Sequence, residues 1–290
     1  MTTARRFTQL DVFTATALRG NPLAVVHDAQ GLSDAQMADF ARWANLSETT
    51  FLLPPTDAAA DTADYRVRIF TPGGELPFAG HPTLGSCHAW LAAGGVPRDA
   101  GTVVQECGVG RVRVRRDVAA GPTRLAFAAP PLRRTGAALP ALRAQVLASL
   151  RLSDADLLAL EWIDNGPGWI GALLADAASV LALQPDFIAM RGLKLGVIGA
   201  HPAGSECQFE VRAFVPGLGV PEDPVTGSLN AGFAQWLIGS GRAPARYVAA
   251  QGAALGRAGR VHVERVGVGA AADVWIGGDV TAVISGSVVL

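Results

Sequence analysis

Two stretches of the chain put acid–base and anion-binding residues just ahead of helix-like runs. In "ELPFAGHPTLGS" (75–86), Gly80, His81 and Pro82 precede the run; in "PEDPVTGSLN" (221–230), Asp223, Gly227 and Ser228 do the same. Pro suits the first position of a helix and Gly allows close backbone approach. The unbonded N–H groups and positive dipole end of a helix start favour a small anion such as a carboxylate. His81 at this place is suited to hydrogen-bonding a substrate amine or carboxylate. Its spacing to His88 sets two imidazoles about two helical turns apart, but no carboxylate completes a metal set. Asp223 before a proline also reads as a helix cap, a role compatible with ligand binding. Ser228 lies in no G-x-S-x-G elbow and reads as part of a first helical turn rather than as a nucleophile.

The composition narrows the chemistry further. Of 24 basic residues Lys194 is the one lysine, in a segment ("RGLKLGVIG") with no polar constellation, so a Schiff-base or pyridoxal mechanism has little to rest on. No G-x-x-x-x-G-K-[ST] loop is present, and the "GVGR" of 108–111 is too short for dinucleotide binding. Three cysteines, Cys87, Cys107 and Cys207, are too scattered for a disulfide framework or a zinc site. The expectation is therefore no cofactor and no metal. A net charge of −1 with no basic run excludes a nucleic-acid footprint. Neither a signal-type apolar segment nor a membrane span is visible, which reads as a soluble, cytoplasmic protein with no membrane partner.

Positioning these residues falls to elements that are written twice. "VRIFTPGGELPFAG" from Val67 and "VRAFVPGLGVPEDPVTG" from Val211 share V-R-x-F-x-P-G. Each leads through a short loop into a run carrying Trp-Leu, at Trp90 and Trp236, and ending in glycines at Gly94-Gly95 and Gly239. Further on, "VVQECGVGRVRV" from Val103 is echoed by "VAAQGAALGRAGRVHV" from Val248. The V-R-x-F segments alternate as strands do, and the Trp-Leu runs have helical spacing that fits core packing. Ser33 with Gln36 forms a capping box for a helix to about Asn45, and a strand follows near Thr49. Pro-rich "AAPPLRRTGAALP" (128–140) and helical "ALRAQVLASLRLSDADLLALEW" mark a boundary.

The fold class expected is α+β: two pseudo-symmetric lobes, residues 1–130 and 131–290, each a mostly antiparallel barrel-like sheet around a central helix, with the last strand or strands free to cross into the first lobe. Such lobes meet at a cleft, where Gly80, His81, Asp223, Gly227 and Ser228 would line the ligand side.

"QLDVFTATALRGNPLAVV", "NLSETTFLL", "RIFTPGGELPFAGHPTLGS", "QECGVGRVRV" and "EDPVTGSLNAGFAQWL", in this order over essentially the whole chain, resemble the phenazine-biosynthesis (PhzF-like) isomerase family. More distantly the chain resembles diaminopimelate epimerase and proline racemase. Those enzymes set a thiol at each helix-capping loop, where this chain has Ala79 and Asp223, so a two-thiol epimerase is not supported. The PhzF-like resemblance implies instead a cofactor-independent isomerase. In it Glu48 of "LSET" shuttles a proton as general acid and base, and Ser47, Gly80, His81, Asp223, Gly227 and Ser228 hold a small carboxylate-bearing, possibly cyclic amino-acid substrate. It also implies a homodimer. Without the resemblance, Glu48 after a helix end reads as a solvated turn residue. An amino-acid epimerase or racemase, and a non-catalytic metabolite-binding or scaffold protein, are the alternatives.

Overall fold

The computed structural model describes residues 3–56, 63–116, 124–267, 269 and 272–290. The chain divides into two compact units, Met1–Ala128 with Gly277–Leu290, and Ala129–Ile276.

Unit 1 contains β1 (Ala4–Val12), β2 (Asn21–Val26), α1 (Asp34–Ala44), β3 (Glu48–Leu53), β4 (Tyr65–Thr71), β5 (Gly74–Leu76), α2 (Gly80–Ala92), β6 (Thr102–Cys107), β7 (Gly110–Arg116) and β8 (Leu125–Ala128). Unit 2 contains β9 (Arg134–Ala137), α3 (Pro140–Leu150), β10 (Ala159–Asp164), β11 (Trp169–Leu173), α4 (Ala177–Leu181), β12 (Lys194–Ala200), β13 (Phe209–Val215), β14 (Val220–Asp223), α5 (Gly227–Gly239), β15 (Arg246–Gln251) and β16 (Gly259–Val266). β17 (Asp273–Gly278) leads back to unit 1, which is completed by β18 (Val280–Val289) paired antiparallel with β1.

One topology is used twice. In unit 1, β1 and β2 are antiparallel, β2 and β3 parallel, β3 and β4 antiparallel; β4 then carries the β5 hairpin on one edge and pairs in parallel with β6, which is antiparallel to β7. The series β10, β11, β12, β13, β14, β15 and β16 repeats each of these relations in order. Each V-R-x-F lies in the strand that carries the hairpin, β4 or β13, and each Trp-Leu run is the helix that follows it, α2 or α5.

Both helices are buried almost all round. Nine of the thirteen residues of α2, and nine of the thirteen of α5, are buried, so neither presents a wide polar face. α2 touches β1, β2, β3, β4, β6, β7, β8 and β18, which makes it the central helix of a curved sheet. α5 lies in the same way against β10, β11 and β16. The helix–sheet approach is close enough to require glycine. A Cβ on Gly232 of α5 would lie 2.5 Å from the Ile163 carbonyl oxygen of β10, and one on Gly85 of α2 would lie 2.4 Å from Leu23.

The repeated arginine closes each hairpin. Arg68 grips Glu75 with two N–H···O bonds of 2.7 and 2.6 Å and reaches Asp34 of α1. Arg212 grips Glu222 at 2.9 and 2.8 Å and donates to the Leu183 carbonyl just past α4. The fork of a guanidinium suits this bidentate use, which lysine could not reproduce. β4 alternates buried and half-buried residues over Tyr65–Ile69, whereas β13 is buried throughout, which leaves Arg212 inside the unit and Arg68 nearer water.

Local readings are confirmed in places and corrected in others. The Ser33–Gln36 capping box is present, with Asn45 as a left-handed C-cap at φ 53°. α2 stops at Ala92 and Gly94 takes φ 97°, as a glycine after a helix readily does. Gly239 does not end α5 in that way: it is the last helical residue, Ser240 is the cap, and Gly241 supplies the positive φ of 73°. The long helical run expected from Ala141 breaks at Leu150. Arg151 turns left-handed, Ser153 and Asp156 close a short turn, and "ALEWID" becomes β10 because β9 and β11 flank it as pairing partners. Among the described residues no helix is long and apolar enough to cross a membrane.

Gly232→Ala should destabilise unit 2 by about 1–3 kcal/mol, because the backbone carbonyl it meets cannot rotate away. Urea unfolding followed by tryptophan fluorescence reads this as a lower midpoint. An unchanged midpoint would contradict the close helix–sheet approach.

Candidate active site

Glu48 is the first residue of β3, paired in parallel register with Leu23 of β2, rather than a residue of the preceding loop. Strand pairing anchors its backbone, and its side chain keeps 15% exposure. Ser47 sits half-buried just before it, outside regular structure. Gly80 and His81 are the first two residues of α2, with Ala79 as the extended N-cap, and all three are buried.

His81 Nδ1 lies 3.5 Å from the Glu48 Oε2 and 3.3 Å from the Asn21 side-chain nitrogen. The imidazole is 3% exposed, and its buried Nε2 has no hydrogen-bond partner among the described residues. Burial pushes its pKa down to about 3, with only partial compensation from the Pro22 carbonyl. At neutral pH the imidazole beside Glu48 is therefore uncharged, and the two do not form an ion pair. Asn21 is placed by a tight return of the chain: Asp11 of β1 accepts a 3.0 Å bond from the Gly20 N–H, and a Cβ on Gly20 would meet the Val12 carbonyl at 2.2 Å. Neither Asn21 nor Asp11 has a role in the sequence reading; an Asp nine residues before G-N-P is the one signal the sequence offers for them.

In unit 2, Asp223 ends β14, and Gly227 and Ser228 open α5. Asp223 does not cap the helix. Thr226 occupies the N-cap, and its hydroxyl donates a 2.5 Å bond to Asp223 Oδ2. Ser228 is held on two sides: its Oγ accepts 2.9 Å from the Trp169 indole N–H and its carbonyl accepts 2.8 Å from the Asn165 amide. An indole N–H can only donate, so the Ser228 hydroxyl proton is directed elsewhere and is available to an acceptor. Trp169, Asn165 and Thr226 were not singled out from sequence, since nothing in their spacing distinguishes them from packing residues.

The thiols are placed as non-participants. Cys87 lies inside α2 at 0% exposure and burial pushes its pKa well up, so it is a packed thiol rather than an acid–base group. Cys107 ends β6 and Cys207 precedes β13; burial raises both. Among the described residues, no three His, Cys, Asp or Glu groups are arranged to hold a metal ion.

Residues 10–286 match the family model described as phenazine biosynthesis-like protein. The chain is 35% identical over 299 residues to antisense-enhancing sequence 1 of Schizosaccharomyces pombe, covering 98% of each. It is 36% identical over 219 residues to the trans-2,3-dihydro-3-hydroxyanthranilate isomerase of Pseudomonas chlororaphis, covering 76% of this chain and 74% of that one. A solved structure described as a predicted epimerase from Pseudomonas aeruginosa superposes with a TM-score of 0.77 at 27% identity, covering 98% of this chain and 99% of the other. The fold is thus the epimerase-type fold and the protein an enzyme of the isomerase type. The chain belongs to the phenazine biosynthesis-like (PhzF) family.

The depressed His81 pKa fixes a pH dependence of stability. Between about pH 3 and 6.5 the unfolded histidine binds a proton that the folded one does not, so stability rises with pH through that window and is level above it. His27 and His88, also lowered by burial, act in the same direction. In urea titrations at pH 7.5 and 5, the wild type should lose stability on acidification. His81→Asn should lose less, by up to about 1.4 kcal/mol per pH unit. Equal losses would contradict a neutral buried His81.

Proposed function

We propose that the protein is a cofactor-independent isomerase that moves a proton on a small carboxylate-bearing substrate, with Glu48 as the general acid and base. The observation that carries this is the Glu48 carboxylate 3.5 Å from a buried, neutral His81 at the start of α2. Glu48 takes a proton from one carbon as the double bond shifts, and returns it to another, so no electrons leave or enter the substrate. His81 stays neutral and holds the substrate by hydrogen bonding. The helix-start backbone at Gly80 favours its carboxylate, and Ser47 flanks the shuttle. In unit 2 the start of α5, with Gly227, the Ser228 hydroxyl and Asp223, is the further substrate-holding segment that the family resemblance implies. The relative from Pseudomonas chlororaphis supplies the first compound to try, trans-2,3-dihydro-3-hydroxyanthranilate. The epimerase alternative lacks a second acid–base thiol: Ala79 and Asp223 stand where those enzymes carry cysteines, and Cys87 is packed inside α2.

Glu48→Gln keeps the size of the side chain and its hydrogen-bonding capacity. Turnover should fall by at least about 10²–10⁴, the usual contribution of a general acid–base group. Thermal stability and substrate binding by calorimetry should stay close to wild type. Near-normal turnover would refute the role of Glu48, and failure to fold would return it to a structural residue.

A further inference from the structure

The duplicated Q-x-x-x-x-G-R, at Gln105 in "QECGVGR" and Gln251 in "QGAALGR", is absorbed by none of the roles above. Both glutamines are buried, at 0% and 1% exposure, and both reach a threonine at the start of the buried helix of their own unit. Resting on the isomerase reading of the site, we propose that Gln251 is the positioning residue of the Asp223–Ser228 segment, acting through the Thr226 hydroxyl, and that Gln105 is its counterpart ahead of His81.

The direction of every bond in the unit 2 network is set by backbone groups that leave no choice. Gln251 Oε1 accepts from the Thr226 backbone N–H at 3.1 Å and from Asn230 Nδ2 at 2.9 Å. Its Nε2 therefore faces the other way, and donates to the Asp223 carbonyl at 3.1 Å and the Thr226 hydroxyl at 3.0 Å. A hydroxyl that accepts from the amide has one hydrogen left, and it goes to Asp223 Oδ2. The relay fixes both the place of the Asp223 carboxylate and its use as an acceptor. Asn230 closes the network by donating to the Thr226 carbonyl at 2.9 Å, tying the first turn of α5 to the same amide.

Unit 1 repeats the sense of the relay with a different end point. Tyr65 donates to Gln105 Oε1 at 2.8 Å, Gln105 Nε2 donates to Thr83 Oγ1 at 3.0 Å, and Thr83 donates to the Ala79 carbonyl at 2.9 Å. Here the relay ends on the N-cap carbonyl two residues before His81. There it ends on a carboxylate. One strand glutamine holding one helix start, used in both halves with the same polarity, is more than a buried amide needs for its own satisfaction.

The test compares Gln251→Met and Thr226→Val, which break the relay at different links with little change in volume, with Gln235→Met as a control. Gln235 lies on α5, and among the described residues its Nε2 bonds the Pro130 carbonyl, outside the relay. With trans-2,3-dihydro-3-hydroxyanthranilate, both relay variants should raise KM about tenfold or more with kcat within about twofold, because Glu48 lies outside the relay. The double variant should be no worse than Gln251→Met alone, since both act through one link. The control should leave KM unchanged. Amide hydrogen exchange gives a readout independent of turnover: in Gln251→Met the Thr226 amide should lose protection while Leu237 keeps its own. Thr226→Val, which leaves Gln251 bonded to the Thr226-position amide and to Asn230, keeps the test open if Gln251→Met does not fold. Unchanged KM in folded relay variants, a KM rise equalled by the control, or unchanged protection at Thr226 would overturn the assignment. A wild type inert toward this compound, with Thr226 protection lost in Gln251→Met, counts against the isomerase reading and for the positioning role.

Discussion

The structure depends on burying, in each unit, a helix that has no polar face. α2 and α5 are made of small and apolar residues on nearly every side, and a helix of that kind is stable in water only when something surrounds it. A strand topology that curves round the helix is the solution, and it is used twice. Close wrapping then dictates other residues. Gly85 and Gly232 stand where a Cβ would meet a strand, and the Arg68 and Arg212 forks tie down the hairpins that feed the helices.

Burial of the helix start shapes the candidate site. The first N–H groups of any helix have no partner within it, and here bulk water is largely excluded from the polar groups around them. The protein answers with donors and acceptors from neighbouring strands, Asn21 at His81, Gln105 at Thr83, Gln251 at Thr226 and Trp169 at Ser228, and with Asn165 of the β10–β11 turn, also at Ser228. The same exclusion of water keeps His81 uncharged. An uncharged imidazole beside Glu48 faces it with a hydrogen-bonding group rather than a counter-ion.

Much of this was legible from the chain. The V-R-x-F-x-P-G repeat announced the duplication because strand alternation, turn glycines and helical spacing recur in one order, and local physics dictates each of them. The Ser33 cap was legible for the same reason. "ALEWID" was not: its apolar spacing fits a helix, and its strand partners lie on either side of it through folding alone. Glu48 is a related case. Residue type and spacing mark it as a turn residue, family resemblance marks it as the acid–base group, and its place at the head of β3 comes from pairing with Leu23. The polar partners Asn21, Gln251 and Trp169 were invisible because hydrogen bonds across twenty or more residues leave no local pattern, although the recurrence of Q-x-x-x-x-G-R was in view.

In the proposed reaction one group, Glu48, carries the hydrogen out and back. Its most direct test is the reaction of trans-2,3-dihydro-3-hydroxyanthranilate with the wild-type protein in heavy water, followed by NMR. A migrated double bond with carbon-bound deuterium at its new position, on the ring face that the hydrogen left, is the expected product. Inversion at a single carbon with the double bond unmoved, or delivery to the opposite face, would contradict it.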